Sequence, residues 1–290
     1  MSNNRVDELA TRRTSQRPLE PLLRWAGSKR QLLKHLLRAV PANYETYVEP
    51  FAGSACLFFA LRPKRAILGD RNAALIDTYR VIAQHPRLVR RRVQSFGSAP
   101  AAYYKLREED ESRLDPIGRA ARFVYLNRNC FNGVYRLNRR GRFNVPRGVK
   151  TGKLPSEIDF VRCSNALRGT RLLACDYREV IAMAVKGDFV YLDPPYIDAS
   201  RRYRGEYGWG TFTSADLPEL ANQLQILDER QVTFLVSYAS VGEFRRVAEK
   251  WASRQILANR TVASSPVRRA ATAELLISNR PPLLSDIESQ

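Results

Sequence analysis

The sequence predicts an α/β fold interrupted by an inserted, mainly helical lobe, and three observations predict it. Short apolar segments alternate with helical repeats and exit into Gly or acidic turns. The alternation stops over residues 86–168 and then resumes, and that interruption is far too long for an ordinary α/β connection. The implied organisation is a flexible arm over residues 1–20, a discontinuous α/β domain over 21–85 and 169–280, a lobe over 86–168, and a flexible tail over 281–290.

Taken in order, the first 20 residues have dispersed charges, no core pattern and no apolar signal segment. Residues 46–49 read as a strand, and the turn PFAGSA leads into a helical run over 56–61. Residues 65–68 give a second strand with Gly69 and Asp70 at its exit, and 74–83 a helix. Beyond the insertion, residues 171–174 are strand-like, 178–185 helical, and 188–192 an apolar strand ending at Asp193. Leu217, Leu220, Leu224 and Leu227 mark one helix face before a strand over 232–238. Phe244, Val247 and Trp251 mark another before a late strand around 275–277.

Lys and Arg number 48 against 29 Asp and Glu, a formal net charge of +19 in 290 residues, and such a field attracts polyanions. Excess charge also serves solubility, so its distribution decides. Residues 119–153 hold ten Arg or Lys and no Asp or Glu, interleaved with Phe123, Tyr125, Phe131, Tyr135 and Phe143. That is the basic, aromatic-rich composition of a nucleic-acid surface. Cys56, Cys130, Cys163 and Cys175 show neither close pairing nor zinc-like spacing. Without a secretory segment they read as reduced thiols in a cytoplasmic or nucleoid-associated protein. His35 and His85 are the two histidines, so a His-rich metal site is excluded and no metal is expected. No apolar run approaches the roughly 20 residues that span a bilayer, so no membrane partner is expected. Nothing implies an obligate protein partner.

Five segments carry candidate chemistry. Asp193, Pro194, Pro195 and Tyr196 follow the strand DFVYL, at the sheet edge where open α/β folds bind ligands. A carboxylate and a proline carbonyl can accept from an exocyclic amine while Tyr196 stacks on the ring that bears it; the bland reading is a buried turn with a capping Asp. YVEPFAGSA at 47–55 follows the first strand, where Gly53 permits close backbone approach and Ser54 offers a hydroxyl. It lacks the three-glycine dinucleotide fingerprint and a phosphate-loop Lys, which speaks against NAD or ATP. Asp70, 17 residues after Gly53 and beside Asn72, can accept from ribose hydroxyls or cap a helix. LRWAGSKRQLL at 23–33 offers Lys29 to a ligand carboxylate or to a solvated face. Asp176 and Tyr177 can flank an adenine or start a helix.

Together these segments closely resemble the D12 class of N6-adenine DNA methyltransferases, which includes the Dam-type enzymes, over about residues 21–280. LRWAGSK, with Trp25, Ala26, Gly27 and Lys29, looks like the family's N-terminal cofactor segment. EPFAGSA, with Glu49, Pro50, Phe51, Ala52, Gly53, Ser54 and Ala55, looks like its cofactor loop. GDRN, with Asp70 and Asn72, resembles its ribose-binding turn, Asp176 and Tyr177 its pair near the cofactor adenine, DPPY its catalytic motif, and ELLISN at 274–279 its closing strand. The central segment 127–148 is similar to its target-recognition side, with Arg128, Asn132, Tyr135, Arg136 and Asn138 in the base-reading region and Arg139 and Arg140 as phosphate contacts.

The resemblance implies a Rossmann-like methyltransferase sheet with a DNA-recognition lobe. It implies S-adenosyl-L-methionine as cofactor, S-adenosyl-L-homocysteine as its product, double-stranded DNA as partner and a flipped adenine as target, with GATC a candidate site. One departure stands out: the family often has FxGxG, and here Ala55 takes the second Gly position. Where that position needs positive φ or direct backbone contact, Ala lowers cofactor affinity or turnover. The alternatives are a weak or inactive DNA-binding protein with this fold, which Ala55 supports, and an RNA adenine-N6 methyltransferase, against which the basic segment speaks.

Overall fold

A computed structural model describes residues 18–196, 212–239, 244, 249–258 and 272–281. Seven described strands form one sheet: β1 (Tyr47–Glu49), β2 (Ala66–Gly69), β3 (Arg171–Leu173), β4 (Phe189–Leu192), β5 (Thr233–Ala239), β6 (Ala252–Ala258) and β7 (Thr272–Ser278). Their order is β3-β2-β1-β4-β5-β7-β6; the first five run parallel, and β7 is antiparallel to both neighbours. The chain leaves β1 toward β2 on one side and comes back to β4 on the other. The crevice beyond the carboxyl ends of β1 and β4 is therefore the switch point where such sheets bind ligands.

The central strands are buried throughout, as parallel strands covered on both faces must be. Alternation divides their side chains. Tyr47, Leu68 and Tyr191 face α2 (Cys56–Leu61) and α3 (Ala73–Gln84), after the short α1 (Leu33–Arg38). Val48, Ile67 and Val190 face two helices beyond the insertion, at Tyr177–Ala182 and Leu217–Glu229. The expected helix over 178–185 is shorter, because the Asp188 carboxylate captures the N–H groups of Val185 and Thr46 at 3.0 Å each.

The insertion supplies α4 (Pro86–Ser95), α5 (Pro100–Glu108), α6 (Pro116–Asn129) and α7 (Glu157–Leu167), which makes the helices at Tyr177–Ala182 and Leu217–Glu229 α8 and α9. Sequence chemistry sets its helix starts. Pro opens α4, α5 and α6, Asp115 accepts from the Gly118 N–H, and Ser156 with Asp159 forms a capping box on α7. Val89, Tyr103, Val124 and Phe160 join the same apolar cluster as Tyr47 and Phe58. The inserted helices thus extend the core on one sheet face. Between α6 and α7 the chain forms a hairpin-like excursion, bridged at Cys130–Arg147 and Leu137–Phe143.

Sequence reading assigned no strand to 252–258. In β6, Ser253 and Gln255 are exposed while Ile256 is buried, the half-polar pattern of an edge strand, and β7 supplies its ladder. Of the helix face marked by Phe244, Val247 and Trp251, Val247 lies outside the described residues. So do most of the arm and of the tail.

Candidate active site

The loop after β1 is built from its backbone outward. Glu49 is 2% exposed and accepts from the Tyr47 hydroxyl at 2.9 Å, and burial pushes its carboxyl well above the usual range. Gly53 adopts φ +45°, donates its N–H to Asp70 at 3.0 Å and accepts from the Tyr79 hydroxyl at 2.7 Å. A Cβ at Gly53 would stand 2.9 Å from the Trp25 indole, so only Gly allows the N-terminal segment to close over the loop. The hydroxyls of Ser28 and Ser54, 3.1 Å apart, join the same two segments.

Ala55 stands at φ +51°, ψ +40°, the left-handed region that favours glycine. Its methyl is 1% exposed and packs in the core, not on an open face of the loop. Left-handed strain of roughly 1–2 kcal/mol opposes burial of one methyl, about 0.8 kcal/mol, and the greater unfolded-state freedom of Gly, roughly 0.5–1 kcal/mol. Ala55→Gly is therefore expected to shift stability by under about 1 kcal/mol, whereas Ala55→Val, β-branched and overpacked, loses about 3 kcal/mol by denaturant titration.

On the neighbouring strand ends, the two Asp70 oxygens accept from the N–H groups of Gly53 and Asn72, at 3.0 and 2.9 Å, and burial raises the carboxyl above its ordinary value. Asn72 caps α3 through the Leu75 N–H at 3.1 Å, and Asp176 caps α8 in a box with Glu179. Burial works against the Asp176 charge, but Arg178 and Arg71 hold its carboxyl below the ordinary value. Phe51 and Tyr177 stack with centroids 5.0 Å apart, and Phe212 meets both edge-on. The carboxylates and the flat aromatic faces anticipated from sequence lie at one sheet edge, with Asn72 and Asp176 also serving as caps.

At the end of β4, Asp193 forms an ion pair with Lys29, whose side chain is 4% exposed. Lys29 also donates to the Gly27 carbonyl at 3.3 Å and stands 4.6 Å over the Tyr196 ring. Burial alone would lower the Lys29 pKa, but the charges of Asp193, Tyr196 and Glu274 hold it above its ordinary value, so it stays an ammonium. Burial pushes Asp193 up to about 6, against the opposing pull of Lys29. Tyr196 donates its hydroxyl to Glu274 at 2.6 Å and meets Tyr238 edge-on at 5.4 Å. Tyr238 in turn donates to the Pro195 carbonyl at 3.4 Å. Sequence reading left Lys29 between a ligand carboxylate and a solvated face; in the structure it is buried and paired with Asp193.

The candidate base-reading residues divide by position. Arg128 donates to the Leu22 carbonyl at 2.6 Å and to the Lys153 carbonyl, and its neighbour Asn127 exchanges hydrogen bonds with the Arg24 backbone. Burial and the adjacent Arg24 lower the Arg128 pKa to about 10. Tyr135 is half-buried, stacked on Trp25 at 6.1 Å and packed by Phe123 and Phe143. These two residues tie the lobe to the N-terminal segment. Asn132 adopts φ +53° beside Phe131, which is 43% exposed. Arg136 is oriented by Asn144 at 2.8 Å, and Asn138 accepts from the N–H groups of Arg140 and Arg142, shaping a tip on which Arg139 and Arg140 are exposed.

Tyr79, Tyr238 and Glu274 were not singled out from sequence. Each sits in an apolar helix or strand pattern, and only the polar atom inside that pattern hints at a partner. Among the described residues no group of His, Cys, Asp and Glu could hold a metal ion, and no helix is long and apolar enough to cross a membrane.

Comparison with known proteins agrees with this geometry. The model of the family described as D12 class N6 adenine-specific DNA methyltransferase matches residues 25–262. The chain is 32% identical over 271 residues to the Type II methyltransferase M1.LlaDCHI of Lactococcus lactis subsp. cremoris, covering 90% of this chain and 95% of that one. It is 33% identical over 263 residues to the DNA adenine methylase of Serratia marcescens, covering 88% and 96%. With that of Escherichia coli (strain K12) it shares 30% over 269 residues, covering 91% and 96%. Sequence motifs, sheet order and full-length likeness converge: the chain belongs to the D12 class of N6-adenine-specific DNA methyltransferases.

Proposed function

We propose that this chain methylates N6 of an adenine flipped out of duplex DNA, with Asp193, Pro194, Pro195 and Tyr196 as the catalytic motif. The observation that carries the reading is a carboxylate and an aromatic ring side by side at the carboxyl end of β4, at the strand-order reversal. Adenine N6 is a weak nucleophile because its lone pair is delocalised into the ring, so orientation and electrostatics carry the reaction. The Asp193 carboxylate and the Pro194 carbonyl accept from the amine protons, and Asp193 complements the positive charge that develops on N6. Tyr196 holds the ring. To engage Asp193, the amine takes over an acceptor site that Lys29 now uses.

The residues fit S-adenosylmethionine, which when bound supplies an electrophilic methyl on a sulfonium. Gly27 at φ +82° lets the N-terminal segment turn at the site, the Asp70 and Asp176 carboxylates suit ribose hydroxyls and an adenine amine, and Phe51 with Tyr177 offers flat apolar faces. Ser28 and Ser54 join Trp25, Lys29 and Ala52 in enclosing it. Arg139 and Arg140 hold phosphates; Arg136, Asn138 and Asn132 approach base edges; and the exposed Phe131 adds an apolar face beside them.

The deciding experiment incubates the protein with labelled S-adenosylmethionine and matched duplex DNA, single-stranded DNA, RNA and protein. Label on adenine N6 in the duplex is the expected result, and label in RNA alone, or none, overturns it. Both Type II methyltransferases and DNA adenine methylases occur among the relatives, so the duplexes form a sequence panel with GATC as one member.

A pH profile tests Asp193 separately. Its carboxyl titrates at about 6, and the acceptor form is the ionised one. The value of kcat/KM should be level above that pH and fall about tenfold per unit below it, since this parameter reports groups of the free enzyme. A profile level down to pH 4.5 would remove the Asp193 charge from the mechanism.

A further inference from the structure

In strand β7, Glu274 is 4% exposed opposite Ala239 and Ile256, and the apolar run Leu275–Ile277 follows it. An ionised carboxylate in such a place is costly unless hydrogen-bonded. Its Oε1 accepts the Tyr196 hydroxyl at 2.6 Å, and its Oε2 has no partner among the described residues. Glu274 thus reaches, from a strand separated from β4 by β5, to the last residue of the catalytic motif. Among the described residues, Glu274 meets the Tyr196 hydroxyl, Tyr238 packs perpendicular to the ring and Lys29 stands over its face. Of these, the Glu274 hydrogen bond alone fixes where the phenol oxygen lies.

We propose that Glu274 is a positioning residue for methyl transfer, its carboxylate setting the Tyr196 ring as the platform on which the target adenine stacks. This rests on the reading of Asp193 and Tyr196 as the site that takes the flipped base. Glu274 touches neither base nor methyl donor and acts through the phenol. A buried acid ahead of the apolar run Leu275–Ile277 thereby acquires a role that core packing does not give it. An apolar residue there would pack without the desolvation cost but would leave the Tyr196 hydroxyl without its acceptor.

The test compares the wild type with Glu274→Ala, Glu274→Gln, Tyr196→Phe and the double variant Glu274→Ala/Tyr196→Phe. Each is measured on a duplex chosen from the sequence panel and carrying 2-aminopurine at the target adenine. Fluorescence amplitude reads extrusion, single-turnover transfer to the unmodified duplex reads chemistry, and thermal denaturation reads stability. Glu274→Ala should reduce amplitude and rate about fivefold, the lower end of what a lost base–aromatic stack costs. Glu274→Gln retains an acceptor for the phenol and should recover both to within about twofold of wild type. Tyr196→Phe should match Glu274→Ala, and the double variant should be no worse than either single one, because one interaction is removed in all three. Glu274→Ala with wild-type amplitude and rate overturns the proposal, even where its melting temperature falls. A double variant with about 25-fold loss, the product of two independent effects, overturns it too. An Asp193→Ala control in the same series separates the two readings. If Asp193→Ala is inactive while Glu274→Ala is unimpaired, the Glu274 role alone fails; if the wild type transfers no methyl to adenine, the active-site reading fails and takes this one with it.

Discussion

Asp193→Ala is expected to lower single-turnover methyl transfer by about 10²- to 10³-fold with cofactor and DNA saturating, the scale on which loss of one preorganised electrostatic partner is felt. The substitution removes the charged acceptor proposed to orient N6 and to complement its developing charge. It also leaves the Lys29 ammonium, 4% exposed, without its carboxylate partner. Removing one member of a buried pair destabilises by roughly 3–5 kcal/mol, and the 22% exposure of Asp193 reduces that here. Asp193→Asn separates the two effects, since the amide keeps an oxygen acceptor and the side-chain volume but loses the charge. If charge matters most, Asn should be nearly as slow as Ala in single turnover while melting closer to wild type. Extrusion, read by a fluorescent base at the target position, should persist in both. A wild-type rate in Asp193→Ala would remove this residue from the catalytic centre.

The companion residue behaves differently. Tyr196→Ala removes the stacking face, for which roughly 1–3 kcal/mol per base is usual, and should weaken extrusion as well as transfer. From the motif alone, Tyr196→Phe is expected to be much milder than Ala. The Glu274 hydrogen bond makes the Phe variant costlier than that, because it strands a buried carboxylate. It should still stay ahead of Ala, and equal damage from the two would point to the hydroxyl over the face.

Neutralising Arg139, Arg140 and Arg142 together to Gln is expected to weaken duplex binding across all sequences. Arg139 and Arg140 crown the hairpin tip, Arg142 closes it through its N–H to Asn138, and residues 119–153 hold no acid to offset them. Each phosphate contact contributes about 0.9 to the slope of log K against log salt. Loss of the two phosphate contacts assigned to Arg139 and Arg140 should therefore flatten that slope by about 1.8. A change in Arg136, which Asn144 holds in one orientation, should instead relax sequence preference while leaving the slope nearly intact. Binding titrations over a salt series with several duplexes distinguish the two patterns. An unchanged affinity and slope in the triple variant would show that the tip does not meet DNA.

What the sequence determined by itself was whatever a local pattern encodes. Alternating apolar segments gave the parallel strands and their flanking helices, the break in that alternation gave the insertion, and DPPY after an apolar strand placed Asp193 and Tyr196 at a sheet edge. The edge strand β6 escaped because its alternation is half-polar and its hydrogen bonds come from β7, a partner that no window of β6 contains. The tertiary structure alone decided which groups meet. Lys29 finds Asp193 across 164 residues and Tyr196 finds Glu274 across 78. It also turned Arg128 inward to the Leu22 carbonyl while leaving Arg139 and Arg140 at the tip. In the one-dimensional pattern these residues are equivalent cations and acids. Burial and the register of distant strands separate them, because the cost of desolvating a charge depends on what surrounds it in three dimensions.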